Sequence, residues 1–265
     1  MKRIVCLLAA FLAVIHAHAA PLDQGDLVTI PTRDGVTQGI FVESPSPNPP
    51  WVIVLFGGTP GALHLDATGA TTLKGNFLIR SAHHWVERGD AVALVDTPSD
   101  QPEGVDDSFR LSKASFADTK AVLTVLRQRF PNSKIALIGT SAGTVSVGNV
   151  LERDPTLADA YVLTSPVTVS HRGSPSLADL NVEGTRYRVL VVSNEHDACV
   201  SSPAYAGKRL AERNHFDFVS VDSTEGGGDK KADCGGHSPH GFLGAELQVL
   251  ANINAWLTGD TTGGK

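Results

Sequence analysis

The chain has no basic excess. Its 265 residues carry 22 Lys and Arg against 28 Asp and Glu, a formal charge of −6, so little in its composition would neutralise a phosphate backbone and no nucleic-acid partner is expected. Cysteine is scarce. Three residues are too few to frame a disulfide miniprotein, and 42% apolar with 19% charged residues excludes a disordered or collagen-like chain. No internal repeat is found. No His-x-x-x-His, His-Glu-x-x-His or paired Cys-x-x-Cys spacing occurs, so no metal is expected. The Gly-rich stretch at Gly57, Gly58 and Gly61 is not followed by Gly-Lys-Ser/Thr and forms no G-x-G-x-x-G string, so no nucleotide-type cofactor is expected either. Beyond the N-terminus no apolar run approaches the roughly 20 residues that span a bilayer.

The N-terminus differs from the rest. Lys2 and Arg3 precede an apolar run from Ile4 to Ile15, and Ala17-His18-Ala19 follows, the small-x-small pattern that signal peptidase cuts. Residues 1–19 are therefore expected to be a signal peptide, delivering the mature chain to the periplasm or outside the cell. Cys6 leaves with that peptide. Cys199 and Cys234 remain, in a compartment where a disulfide persists.

Two runs, Leu27 to Ile30 and Val36 to Val42, flank Asp34-Gly35 and predict an antiparallel hairpin. The Pro-rich stretch from Ser44 to Pro50 reads as a rigid turn, because too few residues precede it to make a domain. After it, continuous apolar runs of strand length recur at Trp51–Phe56, Ala91–Val95, Lys134–Ile138, Ala160–Leu163, Arg188–Val192 and Phe216–Val221. Such runs fit strands buried on both faces of a parallel sheet. Between and after them, Phe116, Leu123, Leu126 and Phe130, and then Leu243, Leu247, Leu250 and Leu257, recur at helical spacing. The prediction is one α/β domain over residues 20–257 with helices on both faces, and a frayed tail over 258–265. Thr97–Arg110 and Thr164–Gly184 are the longest insertions, too short for a large lid domain. The segment from Asp222 to Gly236 is expected to be a mobile flap.

The run ending at Ile138 enters Gly139-Thr140-Ser141-Ala142-Gly143, and a helical stretch follows to Arg153. This is G-x-S-x-G in a strand-turn-helix setting, where a sharp turn exposes a nucleophilic serine at a helix N-terminus. The string alone arises by chance roughly 0.2 times in a chain this rich in Gly and Ser. Its flanking elements give it weight. The chain order of such a triad is Ser, acid, His. Asn194-Glu195-His196-Asp197 follows a strand, making Asp197 the acid, with Glu195 second. His240, before the closing helix, is the candidate base, and His237 is then a histidine of the site rim. The oxyanion amides would come from Ala142 and from Gly58 or Thr59. Cys199 lies just after the proposed acid and Cys234 just before the proposed base. A bridge there would clamp both loops; the other reading is two buried thiols.

Taken with Gly75-Asn76-Phe77-Leu78-Ile79-Arg80 and His240-Gly241-Phe242, these motifs resemble exported bacterial α/β-hydrolase superfamily proteins, distantly similar to dienelactone hydrolases and cutinase-like esterases. The resemblance implies an α/β-hydrolase fold, with Ser141, Asp197 and His240 as triad and a disulfide tying the acid and histidine loops. Thr140 stands where the cutinase-like pattern has Trp, so a polyester substrate is not implied. Asn76 and Arg80 read as helix-start and buttressing residues, or Arg80 reaches the site to favour an anionic substrate. The expected activity is hydrolysis of a small or exposed carboxylic ester. Peptidase or thioesterase chemistry on the same triad is the alternative, as is a non-catalytic binding protein. Nothing in the residues speaks to oligomeric state.

Overall fold

The computed structural model describes residues 20–171 and 173–259. The signal peptide expected at residues 1–19 lies outside them, as do the last six residues of the tail.

Asp26–Arg33 (β1) and Val36–Glu43 (β2) form the expected hairpin around the left-handed Gly35. Trp51–Phe56 (β3), Ala91–Pro98 (β6), Lys134–Thr140 (β7), Ala160–Thr164 (β8), Val189–Asn194 (β9) and Asp217–Val221 (β10) complete an eight-stranded sheet in the order β1-β2-β6-β3-β7-β8-β9-β10. β1, β2 and β6 pair antiparallel in succession, and every pairing from β6 to β10 is parallel. A two-residue ladder between Leu65–Asp66 (β4) and Gly69–Ala70 (β5) stands apart; its residues are too few to show a period in sequence.

The strands of the middle are buried on both faces because helices cover both, whereas β10, whose run is expected to be buried likewise, lies at the sheet edge with Asp217 and Ser220 exposed. Val52, Val54 and Phe56 of β3 point to one face, with Val122, Leu123 and Leu126 of Lys113–Arg129 (α4), Val147, Val150 and Leu151 of Gly143–Arg153 (α5), and Leu210 of Ala204–Asn214 (α6). Trp51, Ile53 and Leu55 point to the other, with Phe77–Arg80 (α1), Trp85 of His83–Glu87 (α2), and Glu246–Thr258 (α7). A period of two in the strands thus feeds two separate cores. Asp107–Arg110 (α3) lies in the loop after β6.

The closing helix departs from its expected stripe. Its buried apolar side chains are Val249, Leu250, Ile253 and Leu257, while Leu247 is 46% exposed and Leu243 precedes the helix. Two overlapping i, i+3/i+4 sets fit this sequence, and contact with the sheet selects the one containing the β-branched residues. The helix also runs through Thr258 to a left-handed Gly259 cap, one residue into the expected tail. Within the segment from Asp222 to Gly236, Asp229 accepts from the amides of Lys231 and Ala232, and Asp233 from that of Gly228.

Asp90, at the start of β6, is buried at 4% exposure and accepts a hydrogen bond from the Trp51 amide. Burial nonetheless pushes its carboxyl up to about 6. A carboxyl whose folded value exceeds its unfolded value of roughly 3.9 binds its proton more tightly in the native state. Native stability from this group is therefore present below that unfolded value and is lost as pH rises toward 6. Asp90→Asn keeps an acceptor for Trp51, and thermal unfolding should find it more stable than the parent at pH 7.5 by about 1–3 kcal/mol, the difference closing by pH 4.

Candidate active site

Strand β7 leads directly into Ser141, whose φ is 53°. A non-glycine residue in this region is strained, and its surroundings hold it there. The Ser141 amide donates to the Thr164 carbonyl at 3.1 Å. Its carbonyl accepts from Thr144 Oγ1 at 2.6 Å, and that same hydroxyl accepts from the Val167 amide at 3.2 Å. Gly139 and Gly143 leave no alternative. A Cβ on Gly143 would stand against the Phe56 carbonyl oxygen, and one on Gly139 against the Gly143 carbonyl oxygen. Strand β3, the elbow and α5 meet at that point with no room for a methyl group.

Asp197 follows β9 and His240 follows β10. His240 Nδ1 lies 2.8 Å from Asp197 Oδ2, and both side chains are almost wholly buried, at 3% and 0% exposure. With a carboxylate as its partner, Nδ1 is the protonated nitrogen. Nε2 is buried and has no hydrogen-bond partner among the described residues. The other oxygen of Asp197 accepts from the Cys199 amide at 2.9 Å. Glu195 is exposed and, among the described residues, its carboxylate accepts from Ser220 Oγ alone, at 3.1 Å, so the loop turns it away from the histidine.

Asn194, fully buried, joins these loops. Its Nδ2 donates to the Pro239 carbonyl at 3.0 Å, while its Oδ1 accepts from the amides of His196 and Ser223. Ser165 Oγ donates to the His240 carbonyl at 2.8 Å. Cys199 and Cys234 are bonded as a disulfide, with their Cα atoms 4.7 Å apart. Arg80 is a buttress: Nη1 donates to the Gly75 carbonyl, Nη2 to the Gly241 carbonyl and to Glu246 Oε1. Its donors hold the segment beside His240, and it does not line the cavity below.

Ser141, Ala142 and His240 line a cavity of about 590 Å³ together with Gly58, Thr59, Asn76, Phe77, Val167, both disulfide cysteines and His237. His237 thus stands at the cavity, exposed. Asp107 also lines it, and desolvation raises its carboxyl above the ordinary range, opposed by the charge of Arg110.

The sequence matches no protein-family model and no curated protein. Solved structures do share its architecture. XC6422 from Xanthomonas campestris, described as an α/β serine hydrolase without lid, aligns over 88% of this chain and 97% of its own length, with a TM-score of 0.57 and 15% identity. The Pyrococcus furiosus esterase Pf2001 aligns over 89% and 91%, with a TM-score of 0.64 and 12% identity. Dipeptidyl peptidase 4 of Porphyromonas gingivalis aligns over 91% of this chain but 36% of its own, with a TM-score of 0.58 and 15% identity. This is the α/β-hydrolase fold, without a lid.

In an α/β-hydrolase fold the loop after β3 faces the serine elbow, and here a buried arginine orients it. Arg110, 3% exposed, donates from Nη1 to Ser146 Oγ at 2.9 Å and from Nη2 toward the carbonyls of Gly57 and Gly58, each at 3.4 Å. Burial lowers its guanidinium to about 10, which still leaves it charged at neutral pH. A trans peptide points its C=O and N–H in opposite directions. Carbonyls turned toward Arg110 therefore turn the amides of Gly58 and Thr59 the other way. A Cβ on Gly58 would lie 3.3 Å from Ser141 Cβ, so the loop passes as close to Ser141 as glycine permits. Sequence reading missed Arg110, Asn194 and Thr144. No local signal marks them, because each acts on backbone groups distant in the chain.

Proposed function

We propose that the protein is an exported serine hydrolase that cleaves small carboxylic esters through Ser141, His240 and Asp197. What carries this reading is the His240 pairing: Nδ1 is committed to Asp197, Nε2 is left without a partner, and that histidine shares a cavity with a serine held at positive φ. His240 Nε2 takes the proton of Ser141 Oγ once substrate brings the two within hydrogen-bond distance. The oxygen attacks the ester carbonyl carbon, and the amides of Ala142 and of Gly58 or Thr59 hold the oxyanion. His240 returns the proton to the departing alcohol, and water, deprotonated by the same nitrogen, cleaves the acyl-enzyme. Asp197 stabilises the imidazolium formed in each half-reaction.

A cavity of about 590 Å³ with no lid above it suits a short acyl ester or an exposed one. The disulfide supports the export reading, and among the described residues no helix is long and apolar enough to cross a membrane. A fluorophosphonate probe should label the wild-type protein and not Ser141→Ala or His240→Ala, while His237→Ala keeps its label. Turnover of short p-nitrophenyl esters should exceed that of matched thioesters and amino-acyl p-nitroanilides. Folded wild-type protein that takes no label would leave only a binding role on this scaffold.

A further inference from the structure

We propose that the side-chain amide of Asn76 is a third donor to the oxyanion, acting beside the two backbone amides. The proposal rests on the serine-hydrolase reading above and adds a catalytic residue to it.

Asn76 is the N-cap of α1, in extended backbone conformation, and its Oδ1 accepts from the Leu78 amide at 3.1 Å. That bond decides which end of the carboxamide is which, since only the oxygen can accept. Nδ2 is then turned away from the helix and has no hydrogen-bond partner among the described residues. It lies in the neighbourhood of Ser141. The point where a Cβ would stand on Gly58 lies 3.4 Å from Asn76 Nδ2 and 3.3 Å from Ser141 Cβ, so the amide and the serine border the same small space beside Gly58. Asn76, Gly58, Ser141 and Ala142 all line the cavity.

The acyl carbon bonded to Ser141 Oγ carries its oxyanion one bond further out, into the space that the Gly58 and Thr59 amides face. A carboxamide N–H there donates to the developing negative charge and transfers no proton, so atoms and charges in the cycle are unchanged. Its support is rigid. Phe77, Leu78 and Ile79 are buried behind it, and Arg80 ties the preceding Gly75 carbonyl to Glu246 and to the Gly241 carbonyl. A donor fixed before the reaction stabilises charge without reorganising as it develops.

Cap and donor are separable, because Ser and Asp cap helices as well as Asn does, yet neither presents an amide N–H. In Asn76→Ser and Asn76→Asp, kcat on a short p-nitrophenyl ester should fall roughly 10- to 100-fold with KM within about threefold, Asp the more severe since its carboxylate opposes the oxyanion. The melting temperature should stay close to that of the wild type. Fluorophosphonate labelling should slow in parallel, because the phosphonyl oxygen enters the same hole. Wild-type kcat in a stably folded Asn76→Ser overturns the proposal, as does a rise in KM with kcat intact. If Asn76→Ser loses stability, Asn76→Asp decides by the same criteria. Failure of the underlying reading shows separately, as a wild-type protein that neither labels nor turns over.

Discussion

Asp197→Asn should lower kcat on a short ester by roughly 10⁴-fold, with the fold intact and KM little changed. The size follows from what Asp197 does to the imidazole, in the way known for serine-protease triads. An Asn at this position keeps a similar shape, but it can present an N–H to Nδ1 and so favour the tautomer with its proton on Nε2, which cannot accept one from serine. It also removes the negative charge opposite the imidazolium. Because both partners are nearly inaccessible to water, solvent cannot substitute for the missing carboxylate. Glu195→Gln, on the exposed neighbour whose carboxylate accepts from Ser220 Oγ, should change kcat by less than twofold. Steady-state kinetics on the two variants checks the assignment, and a reversed order would move the acid to Glu195.

Opening the Cys199–Cys234 bridge should cost both stability and rate. The cysteines are 35 residues apart in sequence, and in the chain-entropy model closing a loop of that size contributes up to about 4 kcal/mol. For a domain of this length that corresponds to a fall in melting temperature of roughly 10 °C. The effect on rate has a separate origin. The Cys199 amide holds Asp197 Oδ1, and Cys234 lies in the short helical turn before His237 and His240, so the bridge joins the acid segment to the base segment at the cavity wall. Cys199→Ser/Cys234→Ser should therefore lose kcat by roughly 10-fold even at temperatures where it is fully folded. Calorimetry and kinetics on this variant, and on wild type after reduction, check both parts. Unchanged kcat with lowered melting temperature would leave the bridge a purely structural staple.

How much of this was legible in the chain follows from the range of each signal. The hairpin around Gly35, the buried strands and the strand-to-helix turn at Ser141 are written in neighbouring residues, because turn chemistry, apolar runs and glycine spacing act locally. The parallel direction of the central strands follows from strand-helix alternation, while their order is set by the fold. In the closing helix Leu250 and Leu257 lie on the buried face as expected, but Leu247 gives way to Val249, since both fit a helical period and only the sheet distinguishes them. Two residues that hold the site together left no local trace: Asn194 across three loops and Arg110 under the Gly57–Gly58 carbonyls. Each is an ordinary polar residue until folding brings a distant backbone group to it.

The sequence by itself determined the architecture, the serine elbow and the short set of acids and histidines that could serve it, because these depend on periodicity and on the steric needs of one turn. Tertiary structure brought Asp197 to His240 and joined Cys199 to Cys234, and it alone decided that Arg80 braces the wall rather than lining the cavity and that the amide of Asn76 lies near Ser141. Those are matters of direction and distance between segments far apart in the chain, set by how two cores pack on one sheet.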